Sequence, residues 1–300
     1  CLETSGSPVT DRPALLRELH DAWLPRLADL ASDPAPQARA AIGRALGRLG
    51  LDDRKGVGLG PDRLPDIDWV EIPAGDFLYG EDKQRCHTDG FRIARYPVTY
   101  AQFQAFLDAP DGYADDRWWQ GLTSPERQPA APGWAIANHP RETVSWHEAM
   151  AFCAWLSHRL GFAVRLPTEA EWERAARGTD GREFPWGDGY QVGYANINET
   201  SEYDKVGPNY LQQTSAVGIY PQGASPEGVL DLAGNVWEWC LNEYEQPERI
   251  QPGGTGARAL RGGSWLNYRL SARAAIRLDF LPGYRSDYVG FRVLCGPPIH

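Results

Sequence analysis

The chain has 300 residues, 42% of them apolar and 23% charged, with a formal net charge of −10. That apolar share is enough to bury a real core, and the acidic balance argues against a nucleic-acid binder. No long uncharged apolar run occurs, which excludes a membrane-spanning helix.

Residues 1–10 (CLETSGSPVT) are small and polar and read as a flexible lead-in. There is no signal-peptide pattern, and the chain opens on Cys1 rather than Met. We read a fragment or a processed chain. A lipid-modified Cys1, anchored at a surface, is the alternative. Residues 11–50 read as a helical hairpin. Leu15, Leu16, Leu19, Trp23 and Leu27 fall at helical spacing, with Pro25 as a kink or break. After an Asp33-Pro34 start signal, Ala38, Ala41, Ile42, Ala45 and Leu49 recur at three and four, and Gly50 closes the helix. The stretch DPAPQARAAIGRALGRLG resembles one HEAT-type repeat. One such unit cannot bury its own face, so it packs on the main domain or belongs to a longer array. Residues 51–68 read as a linker.

From residue 69 the texture changes to short strands, loops and few helices. WVEIPAGDFLYG reads as strand, turn, strand. Three capping boxes announce helices, each pairing Ser or Thr with Glu or Gln three residues on: Thr99 with Gln102, Ser145 with Glu148, and Thr168 with Glu171. Gly161 and Gly178 stop the second and third. From 180 to 300 helical periodicity is nearly absent, and RALRGGSW and VGFRVLC read as strands. The 32 Gly and 24 Pro fit long ordered loops, and 12 Trp with 13 Tyr speak against disorder. Only three of the thirty basic residues are lysines: Lys55, Lys83 and Lys205.

The five cysteines, Cys1, Cys86, Cys153, Cys240 and Cys295, form no C-x-x-C pair. Their odd number fits a reducing compartment, so a cytoplasmic setting is favoured. Cys153 lies on the inward face of a helix, where a free thiol usually just packs. The histidines (His20, His87, His139, His147, His158, His300) lack metal-site spacing and read as surface or capping residues. VGLG at 57–60 is too short for a phosphate loop and runs into Pro61. Glu169, Glu171 and Glu173 suit the first turn of a helix without any catalytic role.

Two segments hold candidate chemistry. In DLAGNVWEWC (231–240), Asp231 and Glu238 flank a Gly-Asn turn. Calcium takes six to eight oxygens from carboxylates and carbonyls, and such a loop can supply several. The plainer alternative has Asp231 capping the turn and Glu238 pairing with an arginine. In 266–288, Tyr268, Ile276, Leu278, Phe280, Leu281, Tyr284 and Tyr288 follow no helix or strand period and alternate with Arg, Asp and Ser. That mixture resembles a paratope, where rigid aromatics supply contact area and small polar groups adapt. The alternative is a core segment punctuated by Gly and Pro.

Nine blocks then carry a family resemblance: GDFLYG (75–80), RYPVTYAQFQAFL (95–107), HPRETVSWHEAMAFCAWL (139–156), RLPTEAEWERAARG (165–178), FPWG (184–187), YANI (194–197), GNVWEW (234–239), RGGSW (261–265) and GFRV (290–293). In this order they resemble the formylglycine-generating enzyme/sulfatase-modifying family over about 69–296. The resemblance implies an α+β, C-type-lectin-like fold with long loops over 69–300. It also implies branches. The copper enzymes hold the metal with two cysteines just after GGS, and here no cysteine falls between Cys240 and Cys295. The iron-dependent sulfoxide synthases need H-x-x-x-H-x-E in a helical domain, and the N-terminal helices here carry only His20. Neither copper nor iron is therefore expected, nor catalysis of those kinds.

The C-terminal segment is most similar to the variable proteins of diversity-generating retroelements. Their frame is matched without a gap by Trp265, Asn267, Arg273, Ala274, Arg277, Pro282, Arg285 and Gly290-Phe291-Arg292, within a variable region of 261–294. The resemblance implies thirteen ligand-binding positions: Leu266, Tyr268, Leu270, Ser271, Ile276, Leu278, Asp279, Phe280, Leu281, Tyr284, Ser286, Asp287 and Tyr288. Adenine-templated diversification never yields Lys, Gln, Glu, Trp or Met, and none of these occupies the thirteen. It implies a protein ligand and no nucleic acid. For calcium, the resemblance implies the side chains of Asp231 and Glu238 with the carbonyls of Gly234 and Val236. A second site would use Asn196 and the Ile197 carbonyl, completed by Asn209 and Leu211. Two other functions stay open: an oxidoreductase-type enzyme of this superfamily with an altered metal site, or a scaffold module attached to a longer HEAT-containing chain.

Overall fold

The computed structural model describes residues 12–123 and 127–296. The lead-in at 1–10, with Cys1, and His300 lie outside the described residues. Helix α1 spans Arg12–Trp23 and α2 spans Pro36–Leu49. Pro25 ends α1 and opens one turn of 3-10 helix, Pro25–Leu27. Helix α2 begins two residues after the Asp33-Pro34 signal, with Pro36 at its first position. Asp33 is instead taken by a fork from Arg26, at 2.7 and 2.9 Å. Gly50 closes α2 in the left-handed conformation (φ 66°).

The helical pair packs on the rest of the chain. Leu27, Ala40 and Leu46 are buried against Ala216, Ile219 and Tyr220. Gly43 permits this approach, since a Cβ there would stand 2.6 Å from that of Ala216. The buried Arg39 donates to the carbonyls of Ile219 and Asp33, at 2.8 and 2.6 Å.

Beyond residue 68 come β1 (Trp69–Ile72), β2 (Gly75–Tyr79), β3 (Gln84–Thr88), β4 (Phe91–Ala94), α3 (Tyr100–Asp108), α4 (Trp146–Leu160), β5 (Val164–Arg165) and α5 (Glu169–Arg177). Strands β6 (Trp237–Glu243), β7 (Arg258–Arg261), β8 (Arg277–Phe280), β9 (Val289–Gly290) and β10 (Leu294–Cys295) complete the list. All three predicted capping boxes form, at α3, α4 and α5. The first sheet has the order β1-β4-β10-β5, β2 and β3 make a separate hairpin, and the third sheet runs β8-β7-β6-β9. In the third, Leu260 faces Leu278, Glu238 faces Arg261, and β9 joins β6 in parallel. Phe103, Phe106, Trp146, Phe152, Trp155, Trp239 and Phe291 fill the main core, and Trp172 anchors a second cluster with Ile93 and Leu294. Phe103 stacks on Phe152 with centroids 5.7 Å apart. This α+β fold, with long loops between short strands, is the class the sequence points to.

Two expectations need correction. His139 and His147 are buried, not surface residues. Burial holds both neutral, lowering His139 to about 3 and His147 to about 4. The glutamates of α5 are also not explained by the helix terminus alone. Glu171 serves the capping box, but Glu169 and Glu173 are buried and paired with arginines of distant segments.

Candidate binding surface

Strand β7 delivers the chain into Gly262 and Gly263, both at positive φ, and so into the 265–288 excursion. A single 3-10 turn, Arg269–Ala272, precedes β8. Within this excursion two sets of residues separate. None of the thirteen candidate positions is buried; Leu266, Leu270, Asp279 and Leu281 are exposed and the other nine are half-buried. The frame between them is buried or tied down. Ala274 and Phe291 are inaccessible, and Trp265 is 8% exposed.

The ties run to the starts of two helices. Arg277 places Nε and Nη2 on the two carboxylate oxygens of Glu169, both at 2.7 Å, and Nη2 also reaches the Tyr244 carbonyl. Arg285 Nε donates to Glu148 at 2.8 Å. That same Glu148 oxygen closes the capping box of α4 by accepting from the Ser145 backbone at 2.8 Å. Arg273 reaches Glu81 at 2.9 Å. Asn267 Oδ1 accepts from Trp237 Nε1 and Ser264 Oγ, at 2.8 and 2.6 Å. Trp265 donates Nε1 to the Asp287 carbonyl at 3.2 Å, and its ring meets Trp134 and Tyr210.

The candidate side chains behave differently. Tyr284 and Tyr288 share a hydroxyl contact of 2.5 Å, and Ser286 Oγ donates to Asp287 at 3.4 Å. Phe280 stacks on Tyr284 with centroids 3.8 Å apart. Among the described residues, the side-chain hydrogen bonds of the thirteen go only to one another. The frame uses their backbone instead: Ser286 and Tyr288 carbonyls accept from Thr143 and Trp237 at 2.9 and 2.8 Å. Thr143 holds φ 58°, rare for a β-branched residue and consistent with a tightly determined contact.

The two carboxylates of the first calcium candidate have other partners. Glu238 is inaccessible, and Arg292 forks onto both its oxygens at 2.6 and 2.7 Å while Trp172 Nε1 donates at 2.7 Å. Asp231, in the left-handed conformation, accepts from Gly218 N at 2.7 Å, and burial pushes its pKa up to about 6. Gly234 packs on the Asn196 carbonyl, and Val236 is buried. In the second set, Asn196 Nδ2 donates to the Gln213 carbonyl but its Oδ1 is buried without a partner among the described residues, and Ile197 is a core residue. Asn209 is claimed by Glu199, which accepts from its backbone and side chain and from Tyr190 and Gly193. Leu211 packs beside α2. A hard cation on the first loop would have to displace a guanidinium from Glu238, so these residues as placed do not fit one. Among the described residues no group of three or more His, Cys, Asp or Glu is poised for a metal. Burial also pushes the thiols of Cys153 and Cys240 up, away from the reactive thiolate.

Three participants had no local signal in the sequence: Glu148 and Glu169 as receivers of the frame arginines, and Trp134 beside Trp265. A capping box betrays the first as a helix start, but its second bond spans 137 residues.

Comparison with known proteins places this geometry. The model of the sulfatase-modifying factor enzyme 1-like domain matches residues 61–296. An inactive C-alpha-formylglycine-generating enzyme 2 of Mus musculus is 38% identical over 278 residues, covering 74% of this chain and 84% of its own. A formylglycine-generating enzyme of Thermomonospora curvata is 32% identical, covering 76% and 93%. In structure, variable protein 1 of Treponema denticola shares the fold at TM-score 0.56 and 24% identity, over 77% of this chain and 95% of its own.

Proposed function

Because the chain belongs to the sulfatase-modifying factor enzyme 1-like family, we propose that it is a non-catalytic member, a variable protein of a diversity-generating retroelement. It presents positions 266–288 as a binding surface for a protein ligand. One observation carries this reading. Among the described residues the thirteen side chains make no hydrogen bond to the frame, so exchanging them leaves the frame's polar contacts intact, while Ile276, Leu278, Phe280, Tyr284 and Tyr288 lay one edge on the main core. Backbone carbonyls serve whatever side chain they carry. The aromatic members then supply contact area with little rotamer entropy to lose. The fold shared with variable protein 1 of Treponema denticola is compatible with it.

The experiment is joint replacement of Tyr268, Phe280, Tyr284 and Tyr288 by serine, with partner binding and thermal unfolding measured together. We expect binding to be lost while a cooperative melt persists. Loss of folding would assign these rings to the core. Purified protein that retains copper or iron and consumes oxygen with a thiol substrate would overturn the reading in favour of an enzyme. A nearby reverse transcriptase with an imperfect copy of codons 261–294, differing only at adenines, is the expected genomic finding.

A further inference from the structure

Beside this surface, in sequence outside 261–294, lies a cavity of about 450 Å³ lined by Glu243, Glu245, Arg249, Gly254, Thr255 and Gly256, among others. Its position follows from the third sheet. Glu243 of β6 faces Arg258 of β7, which faces Phe280 of β8, so the cavity lies two strands from the aromatic cluster. The loop above it is tied down by Glu243 N on the Arg249 carbonyl and Tyr244 N on the Ala257 carbonyl, at 3.0 and 2.9 Å.

The Glu243 side chain is 10% exposed, yet no described group donates it a hydrogen bond. Its nearest cation is Arg249, 3.7 Å away and 60% exposed, too far for a hydrogen bond, and the cross-strand Arg258 adds attraction at longer range. The buried Arg258 spends its Nη donors on the carbonyls of Leu241, Gln251 and Gly253. Glycine makes the room. A Cβ at Gly256 would lie 2.6 to 2.9 Å from the carboxylate atoms, and one at Gly254 would lie 3.2 Å from Oε1. The result is a mostly buried carboxylate that faces an open cavity and accepts no hydrogen bond from the described residues. A guanidinium is the partner whose donors match both oxygens of such a carboxylate at once.

We propose that the Glu243 cavity is a socket for a cationic side chain, an arginine or lysine of the bound partner, set outside the proposed variable region 261–294. Glu245 at the exposed lip adds attraction. Arg249 is the internal competitor that holds the site when no partner is present. This rests on the reading of 266–288 as a partner-binding face, and it gives that face an anchor independent of which residues occupy the thirteen positions.

The test uses the whole chain and Nα-acetylarginine amide as probe, titrated calorimetrically, with the citrulline analogue as the uncharged isostere. We expect saturable binding of the arginine probe only. Glu243→Gln should weaken it by about tenfold or more, as loss of a charged hydrogen-bond pair does. Arg249→Ala, at an exposed side chain, should strengthen it by freeing the carboxylate. Equal binding of the citrulline analogue, no saturable binding of either, or weaker binding after Arg249→Ala would overturn the socket. The quadruple serine variant separates the two ideas. If it loses the partner while no protein binds the probe, the socket falls and the binding face stands. If it keeps the partner while the probe still binds, the face falls and the socket stands as a cation site.

Discussion

Arg277→Ala removes a three-bond tie between the 265–288 segment and the rest of the fold. Glu169, 1% exposed, would lose a fork of two 2.7 Å bonds, and the Tyr244 carbonyl would lose a third. The stacking of the guanidinium on the Tyr244 ring, 4.1 Å from its centre, would go too. Truncating one partner of a buried ion pair costs about 3–5 kcal/mol, because the other charge stays buried. Here Glu169 keeps Asn242 at 3.1 Å and Arg261 at 3.5 Å. The lower end therefore applies, about 3 kcal/mol. At about 2 °C per kcal/mol for a domain of this size, the melting temperature should fall by about 6 °C. Urea unfolding of Arg277→Ala, Glu169→Gln and the double variant closes a cycle, with an expected coupling of about 1–3 kcal/mol. A loss below about 1 kcal/mol with no coupling would refute the claim that this pair fastens the segment.

Three further outcomes are expected. His139 and His147, kept neutral by burial, take up protons readily only when unfolded, so their contribution is complete above about pH 6.5 and is lost as pH falls toward 4 and 3. Asp231, raised to about 6, has the opposite sign between 6 and 3.8 and offsets one of them. His139→Gln should therefore spare the protein on the order of 2–3 kcal/mol of acid destabilisation by pH 4.5, read from urea midpoints across pH. Added calcium or EDTA should leave the melting temperature unchanged within about 1 °C, since binding to the native state alone would raise it; a larger rise with calcium would show that Arg292 yields Glu238. Gly43→Ala should press a methyl on Ala216, cost about 1–3 kcal/mol and speed proteolytic release of the helical pair.

What could be read from sequence was local. The capping boxes at Thr99, Ser145 and Thr168 each need four adjacent residues, and all three form. The frame spacing over 265–292 is a property of one segment and so was readable, but exposure does not follow it: nine of the thirteen candidate positions are half-buried, as are Asn267, Arg273, Arg277 and Arg285. The partners of that segment were not readable. Arg277 finds Glu169 across 108 residues and Arg285 finds Glu148 across 137, and no periodicity encodes such pairs. Histidine burial failed for the same reason. His139 gains its hydroxyl partner, Thr214, only when the loops of two distant segments meet.

The arginine excess acquires a physical reason from these pairings. Under the proposed function, a surface whose side chains vary cannot rely on them for its own stability. Its conformation must come from groups that stay constant and act over distance. Glu148, Glu169 and Glu238 are all nearly or wholly inaccessible, and each receives an arginine from the 277–292 stretch. A lysine offers one strongly hydrated ammonium on a flexible stem and pays more to enter such a site. The planar fork of arginine fixes direction as well as charge, as at Glu169 and Glu238. So the three-in-thirty lysine share is a property of the scaffold. It weakens the absence of lysine from the thirteen positions as a mark of adenine-templated change. The partition of hydrogen bonds is independent of composition: among the described residues those side chains make no hydrogen bond to the frame while their backbone is held, although Ile276, Leu278, Phe280, Tyr284 and Tyr288 also pack against the main core.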